Sequence, residues 1–233
     1  MTIPSDIPTE PDKSRQPLVL AGIIIAFSIY LFGSSILIFL LKPAHLSGEG
    51  LFFISRIFCW VCLLAMYVYA VKVEKQPFLL WTEKKYSFGY YLLLVIAVLL
   101  MLLAGMLVLS GIELSLGLLK KSAKLNDMLS ILRQSRWLVV FTCLTAGVTE
   151  ELVFRGYLVP RLQLFSKSHY PPLIISSVLF GAVHIGYGNI AQVVGPTFIG
   201  YIFALYYHKY RSINVLIVCH FLWDYFTLHN MIR

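Results

Sequence analysis

Seven long apolar stretches dominate the sequence, and each is close to the length needed to cross a lipid bilayer. A helix needs about 20 apolar residues to span the hydrocarbon core. Hydrophobic residues make up 59% of the 233 residues and charged residues 13%, whereas soluble domains have about 45–50% and about 25%. The sequence therefore predicts an all-α, polytopic membrane helix bundle of about seven transmembrane helices, at residues 18–41, 51–73, 88–110, 137–159, 172–187, 190–208 and 213–229.

Two segments depart from this pattern. Residues 1–17 are polar and contain four prolines, which predicts a disordered N-terminal tail. The segment 111–136 combines amphipathic pieces with five basic residues, which favours a helix at the membrane interface.

The formal net charge of +8 does not indicate a nucleic-acid partner. The Lys and Arg residues lie mainly between apolar stretches, where positive charge orients helices and meets anionic lipid headgroups. We therefore expect a multi-pass integral membrane protein in contact with the lipid bilayer and no nucleic acid. The small, minimal layout favours a bacterial plasma membrane. All four cysteines lie in apolar stretches, where they act as small buried residues rather than a disulfide framework.

Three ionisable residues lie within six positions of the fourth predicted span. Each costs about 2.5–3.5 kcal/mol inside a membrane on insertion scales, so a group of three calls for a reason. Glu151 and Arg155 are four residues apart and share a helix face, so they are expected to pair. Glu150 is rotated by about 100° from that face and is left free to act.

Histidines lie in two later spans. The fifth span holds Phe180 and His184 one turn apart, with Gly181 beside them, and a glycine lets a neighbouring helix approach closely. The seventh span holds His220 and Asp224, again four apart on one face. Counted from the helix ends, these groups and Glu150 fall in one layer, which predicts a catalytic cavity inside the bundle.

The order of these motifs resembles a known family. E-E-x-x-x-R, then F-x-x-x-H, then H-x-x-x-D/N on successive membrane helices is similar to the CPBP family, which includes the type II CAAX prenyl endopeptidases and the Abi or bacteriocin-processing relatives. The resemblance covers residues 137–228. It suggests three regions: the tail 1–17, N-terminal membrane helices with the interfacial segment at 18–136, and a catalytic core at 137–233. The first three spans carry no matching motif.

The resemblance implies an intramembrane endopeptidase that hydrolyses a peptide bond of a membrane-embedded or lipidated substrate, either a prenylated CAAX-type protein or a leader peptide. It implies that Glu150 and His184 activate a water, while His220 and Asp224 stabilise the oxyanion. The supporting residues are then Glu151, Arg155 and Phe180.

Asp224 departs from the family pattern. The prenyl-protease branch has Asn at the matching position, and an amide can donate a hydrogen bond. An ionised Asp cannot donate, so Asp224 must be protonated, orient His220 through a ring N–H, or bind a metal.

Alternatives to glutamate chemistry stay open. Glu150, His184 and His220 could hold zinc with one open position, although no H-E-x-x-H is present and no cofactor is otherwise expected. Two readings from other classes are a proton-coupled transporter, because intramembrane Glu and His also form proton relays, and a non-catalytic membrane peptide-binding or immunity protein.

Overall fold

A computed structural model describes residues 15–118 and 122–233, and every regular element within these ranges is a helix. One π-helical segment, Tyr69–Glu74, directly follows the helix Gly48–Val68, and a second, Leu152–Leu158, lies between the helices Arg136–Glu151 and Val159–Gln163. Short 3-10 turns lie at Lys42–Ala44 and Ile185–Tyr187. The predicted all-α fold is confirmed, with α1 (Gln16–Leu41), α2 (Gly48–Val68), α3 (Phe88–Ser115), α4 (Ala123–Gln134), α5 (Arg136–Glu151), α6 (Val159–Gln163), α7 (Tyr170–Ala182), α8 (Ala191–Tyr210) and α9 (Ile213–Ile232).

Six helical stretches of the described chain are long and apolar enough to cross a membrane: Gln16–Ala44, Gly48–Glu74, Phe88–Ser115, Arg136–Gln163, Tyr170–Tyr187 and Ile213–Ile232. The polytopic bundle is therefore confirmed, with one difference from the seven predicted spans. The stretch 190–208 forms α8, but α8 is not among the six. It carries four tyrosines together with Gln192, His208 and Lys209, so its apolar character is weaker than that of its neighbours.

The continuous helix Arg136–Gln163, formed by α5, the second π-helical segment and α6, is the centre of the bundle. In its most apolar stretch 61% of the residues are buried, against 11–33% in the other five candidate spans. By contrast, α1 and α3 expose large apolar side chains such as Phe39 (74%) and Phe88 (85%). In a bilayer these side chains face hydrocarbon, which is as apolar as they are.

Glycines bring two pairs of helices into close contact. A Cβ at Gly181 on α7 would overlap Thr197 Oγ1 and lie 2.6 Å from the carbonyl oxygen of Val193 on α8. A Cβ at Gly147 on α5 would lie 3.0 Å from the carbonyl oxygen of Ile217 on α9. The close approach predicted at Gly181 is confirmed, and Gly147 has the same role between α5 and α9.

The amphipathic helix predicted within 111–136 is present as α4, which buries Leu129 and Leu132. The first residues of that segment instead continue α3 as far as Ser115. Residues 1–14, which carry most of the predicted polar tail, and residues 119–121 lie outside the described part of the chain.

A buried ion pair fixes the end of α2 to the central helix. Arg161 Nη2 lies 2.6 Å from Glu74 Oε2, and both side chains are fully buried. The Tyr157 hydroxyl also hydrogen-bonds Glu74, and Arg161 Nη1 donates to the carbonyl oxygen of Phe78 at 2.9 Å. Because every polar group in this cluster has a partner, the cluster tolerates burial in an apolar bundle.

We expect Arg161→Met to destabilise the protein strongly, because it leaves Glu74 as an unpaired buried charge. Breaking a buried pair in this way costs about 3–5 kcal/mol, which thermal unfolding in detergent micelles would detect as a lower Tm. Lys167→Met, at an exposed position, is the matched control. Equal Tm values for the two variants would show that the pair does not hold the helices together.

Candidate active site

Glu151 is the centre of the polar cluster inside the bundle. Its Oε1 atom accepts from Arg155 Nη1 at 2.8 Å and lies 2.7 Å from His220 Nδ1. The Glu151 side chain is fully buried. The ion pair predicted from the spacing of Glu151 and Arg155 is confirmed, whereas the bond to His220 on α9 was not predicted. One carboxylate therefore joins two segments of the central helix to α9.

Arg155 lies in the π-helical segment Leu152–Leu158, a type of helix irregularity that is common at functional sites. Its guanidinium carbon is 4.2 Å from the ring centre of Phe180 and 5.5 Å from that of Phe203. A Cβ at Gly200 on α8 would lie 3.0 Å from Arg155 Nη2. Arg155 is thus enclosed by aromatic faces, which favour a cation, and its charge is balanced by Glu151.

Glu150 has a different environment from its neighbour. Its side chain is 18% exposed, and it makes no hydrogen bond with the described residues. Its Oε2 atom is 3.9 Å from His220 Nε2, and it interacts electrostatically with His184, Asp224 and Arg56. Glu150 is therefore the carboxylate of the pair that remains available, as the helix geometry predicts.

His220 presents one ring nitrogen to each side of the site. Its Nδ1 faces Glu151, so Nδ1 carries a proton when that carboxylate is ionised. Its Nε2 is 3.4 Å from Asp224 Oδ2 and 3.9 Å from Glu150 Oε2. The residue that orients the ring through Nδ1 is therefore Glu151, and Asp224 contacts the opposite nitrogen.

His184 lies at the end of α7, where its Nδ1 is 2.9 Å from the carbonyl oxygen of Phe180. Because a carbonyl only accepts, this bond places the proton on Nδ1 and leaves Nε2 with a lone pair. The Phe180 ring lies between the histidines, 5.3 Å from His184 and 6.1 Å from His220 between ring centres. The structure thus brings His184, His220 and Asp224 close to Glu150, with the Phe180 ring beside both histidines.

The predicted zinc alternative finds no ready ligand set. Among the described residues, no three His, Cys, Asp or Glu side chains are arranged to hold a metal ion. The Nδ1 atoms of His184 and His220 are held by protein acceptors, as is common in zinc sites, but together with Glu150 they do not form such a group. The zinc alternative stays a prediction.

The N-terminal helices contribute to the site although they carry no recognised motif. Trp60 Nε1 on α2 donates to Thr145 Oγ1 on α5 at 3.0 Å, and Arg56 on α2 acts electrostatically on Glu150. Tyr187, which follows α7, interacts with Glu150 and Asp224. The position of Arg56 within an apolar stretch was a sequence signal for a role at the site, whereas no sequence signal indicated Tyr187.

Comparison with known proteins agrees with the motifs. Residues 132–226 match the model of the Rce1-like family, described as type II CAAX prenyl endopeptidase Rce1-like. This segment runs from the end of α4 through most of α9 and contains all seven predicted site residues. The resemblance is confirmed over this segment, which is less than half of the chain. Searches of curated proteins and of solved structures gave no significant match.

The geometry predicts different effects on stability for substitutions at the two neighbouring glutamates. Glu151→Gln leaves the buried Arg155 without a carboxylate and weakens the bond to His220, at a cost of about 3–5 kcal/mol. Glu150→Gln removes a partly exposed group without a hydrogen bond and is expected to unfold at nearly the wild-type temperature. Thermal unfolding in the same detergent measures both. An equal loss of stability in both variants would contradict this assignment.

Proposed function

We propose, from the match of residues 132–226 to the Rce1-like family and from the site geometry, that the protein is an intramembrane endopeptidase acting on a membrane-associated substrate. The contrast between the two glutamates carries the proposal. Glu151 is fully buried and bonded, whereas Glu150 is partly exposed and lacks a hydrogen bond from the described residues. A carboxylate kept free within a membrane span calls for a functional reason.

In the proposed reaction Glu150 and His184 hold and activate the attacking water. The lone pair on His184 Nε2 and the free carboxylate of Glu150 are both acceptors, so together they can orient a water through its two protons. Glu150 takes a proton as the water attacks the peptide carbonyl, and then passes it to the leaving amine. A positioned base of this kind contributes roughly 10²–10⁴-fold to the rate.

His220 is proposed to stabilise the oxyanion. It has Glu151 at Nδ1 and Asp224 at Nε2, and carboxylates on both sides favour the positively charged imidazolium. The Nε2–H group would then point toward the side of the ring where Glu150 lies, and such a donor acts strongly where water is excluded. Asp224 would support this charge rather than donate a hydrogen bond itself, which accommodates Asp where the prenyl-protease branch has Asn.

The substrate proposed is a peptide held at the membrane by a lipid or by its own apolar segment. The site lies between helices that are apolar enough to span a bilayer, so the substrate would have to be drawn from the membrane or its surface. The description of the matched family favours a prenylated CAAX-type protein over a leader peptide. The bacterial plasma membrane is the proposed location.

The same observations favour a peptidase over the transporter and the non-catalytic binding protein. Neither alternative accounts for the family match. A binding protein would not need a free carboxylate, a lone pair on His184 and a charged His220 to lie close together.

Cleavage of an S-farnesylated, quenched fluorescent peptide in detergent micelles tests the proposal. Glu150→Gln and His184→Ala are each expected to lower kcat by at least roughly 100-fold, because each removes an acceptor for the water. Asp127→Asn, an exposed carboxylate on α4, is the matched control and is expected to keep its activity. Wild-type cleavage that survives both site substitutions would refute the proposed roles.

The catalytic type can be tested separately by removing metal. We expect protein treated with a chelator, and free of transition metal by elemental analysis, to retain its turnover of the same peptide. The reason is that the proposed water activation uses only Glu150 and His184. Loss of turnover that is restored by stoichiometric zinc would overturn glutamate chemistry and favour the zinc alternative.

A further inference from the structure

α2 turns one face toward α5, and Arg56 lies on that face. The Phe53 ring is 5.4 Å from that of Phe141 on α5, and Trp60 donates to Thr145 at 3.0 Å. Arg56 follows Phe53 by three residues and precedes Trp60 by four, a spacing that places all three on one side of the helix. The two contacts also show that α2 and α5 run in the same direction here.

Arg56 is the one charged residue between Glu49 and Lys72. Its Nε atom is 3.4 Å from the hydroxyl of the adjacent Ser55, and its guanidinium carbon is 5.0 Å from the Phe52 ring centre. The five ion pairs found among the described residues do not include it. Its charge is therefore not neutralised by a direct contact within that part of the protein.

The two fully buried arginines of the bundle differ from Arg56 because each is paired with a carboxylate. Arg155 is paired with Glu151 at 2.8 Å, and Arg161 with Glu74 at 2.6 Å. A cation within a membrane span is costly and ordinarily paired. Arg56 has no such pair within the described residues, so a carboxylate of the substrate could serve as its counter-ion.

The charge of Arg56 lies near the active site. It is close enough to Glu150 and Tyr187 to act on them electrostatically, which agrees with its position on the face of α2 that contacts α5. Trp60 is level with Thr145, and Arg56 precedes Trp60 by four residues while Glu150 follows Thr145 by five. The contact of Phe53 with Phe141 gives a smaller difference, six residues instead of nine. At 1.5 Å per residue the Cα atoms of Arg56 and Glu150 are therefore offset by about 9–13 Å along the helices.

We propose that Arg56 is a specificity-determining residue that binds the free C-terminal carboxylate of the substrate peptide. This inference rests on the proposed endopeptidase function and adds a residue from outside the segment matched by the family. A guanidinium fits a carboxylate well because it offers two parallel N–H donors. An extended peptide advances about 3.3 Å per residue, so an offset of about 9–13 Å corresponds to about three to four residues between the bound carboxylate and the scissile bond.

A competing role for Arg56 is to offset the negative charge of Glu150 without contacting substrate. The two roles differ in one measurable quantity, the preference of the protein for a free acid over an amide at the C-terminus of the same peptide. A residue that only offsets the charge of Glu150 does not set that preference. The ratio is measured within each variant, so it does not depend on the fraction of folded protein.

The experiment uses two S-farnesylated fluorescent peptides that differ only in a free C-terminal carboxylate or a C-terminal amide. Binding is measured by fluorescence anisotropy in detergent micelles, with Glu150→Gln as the uncleaving parent. We expect the acid to bind roughly 10- to 100-fold more tightly than the amide, the range for a charge-assisted hydrogen bond. Arg56→Gln should abolish this preference, Arg56→Lys should keep part of it, and the exposed Lys72→Gln control should keep all of it.

An acid preference that persists in Arg56→Gln, the absence of any preference in the parent, or a failure of both peptides to bind would overturn the assignment. Tighter binding of an amidated peptide with an added acidic side chain than of the free acid would also overturn it, in favour of a side-chain carboxylate. If the wild-type protein cleaves neither peptide while the parent shows an Arg56-dependent acid preference, the proposed function fails and the Arg56 subsite stands.

Discussion

The carboxylate of Glu151 is the interaction on which the arrangement of the site depends. It bonds Arg155 within the central helix and His220 on α9, so a single group links α9 to the central helix and directs the His220 ring. Together with the contact of Asp224 Oδ2 with Nε2 at 3.4 Å, that bond fixes which nitrogen of His220 faces Glu150. Glu150, the adjacent carboxylate in the sequence, is then free of a structural role. Glu151 supports the site, and Glu150 is left to react.

The membrane explains why buried charged groups of the bundle are paired. Water does not compete inside a bilayer, so each buried charge needs a partner from the protein. The pair of Glu74 with Arg161 and the pair of Glu151 with Arg155 meet this need at two levels of the central helix. The second pair is less complete than the first, since Glu151 Oε2 and Arg155 Nε and Nη2 have no hydrogen-bond partner among the described residues. Glu150 and Arg56 differ from both pairs because neither makes a hydrogen bond to a group of opposite charge within that part of the chain.

The spacing of residues in the sequence predicted those structural features that depend mainly on a single helix. The apolar stretches predicted the bundle, the four-residue spacing predicted the pair of Glu151 and Arg155, and Gly181 predicted a close helix contact. The bond between Glu151 and His220 could not be predicted, because it depends on how closely α5 and α9 approach at Gly147. The stretch 190–208, predicted as the sixth span, forms α8 but is not among the six candidate spans, because Gln192, His208, Lys209 and four tyrosines lower the apolar character of α8.

The π-helical segment Leu152–Leu158 divides the central helix into two parts with separate angular settings. The part before it aims Glu150 and Glu151 at α9, and the part after it aims Arg161 at Glu74. A π-helical turn accommodates about one residue more than an α-helical turn, and one residue corresponds to a rotation of about 100°. Deleting a single residue here would let the turn close as an ordinary α-helical turn, and the two flanking parts would keep nearly their present orientations. The same deletion in the regular helix on either side would rotate one set of side chains by about 100° away from its partners. This stretch is thus expected to accept the loss of one residue more readily than the helix around it.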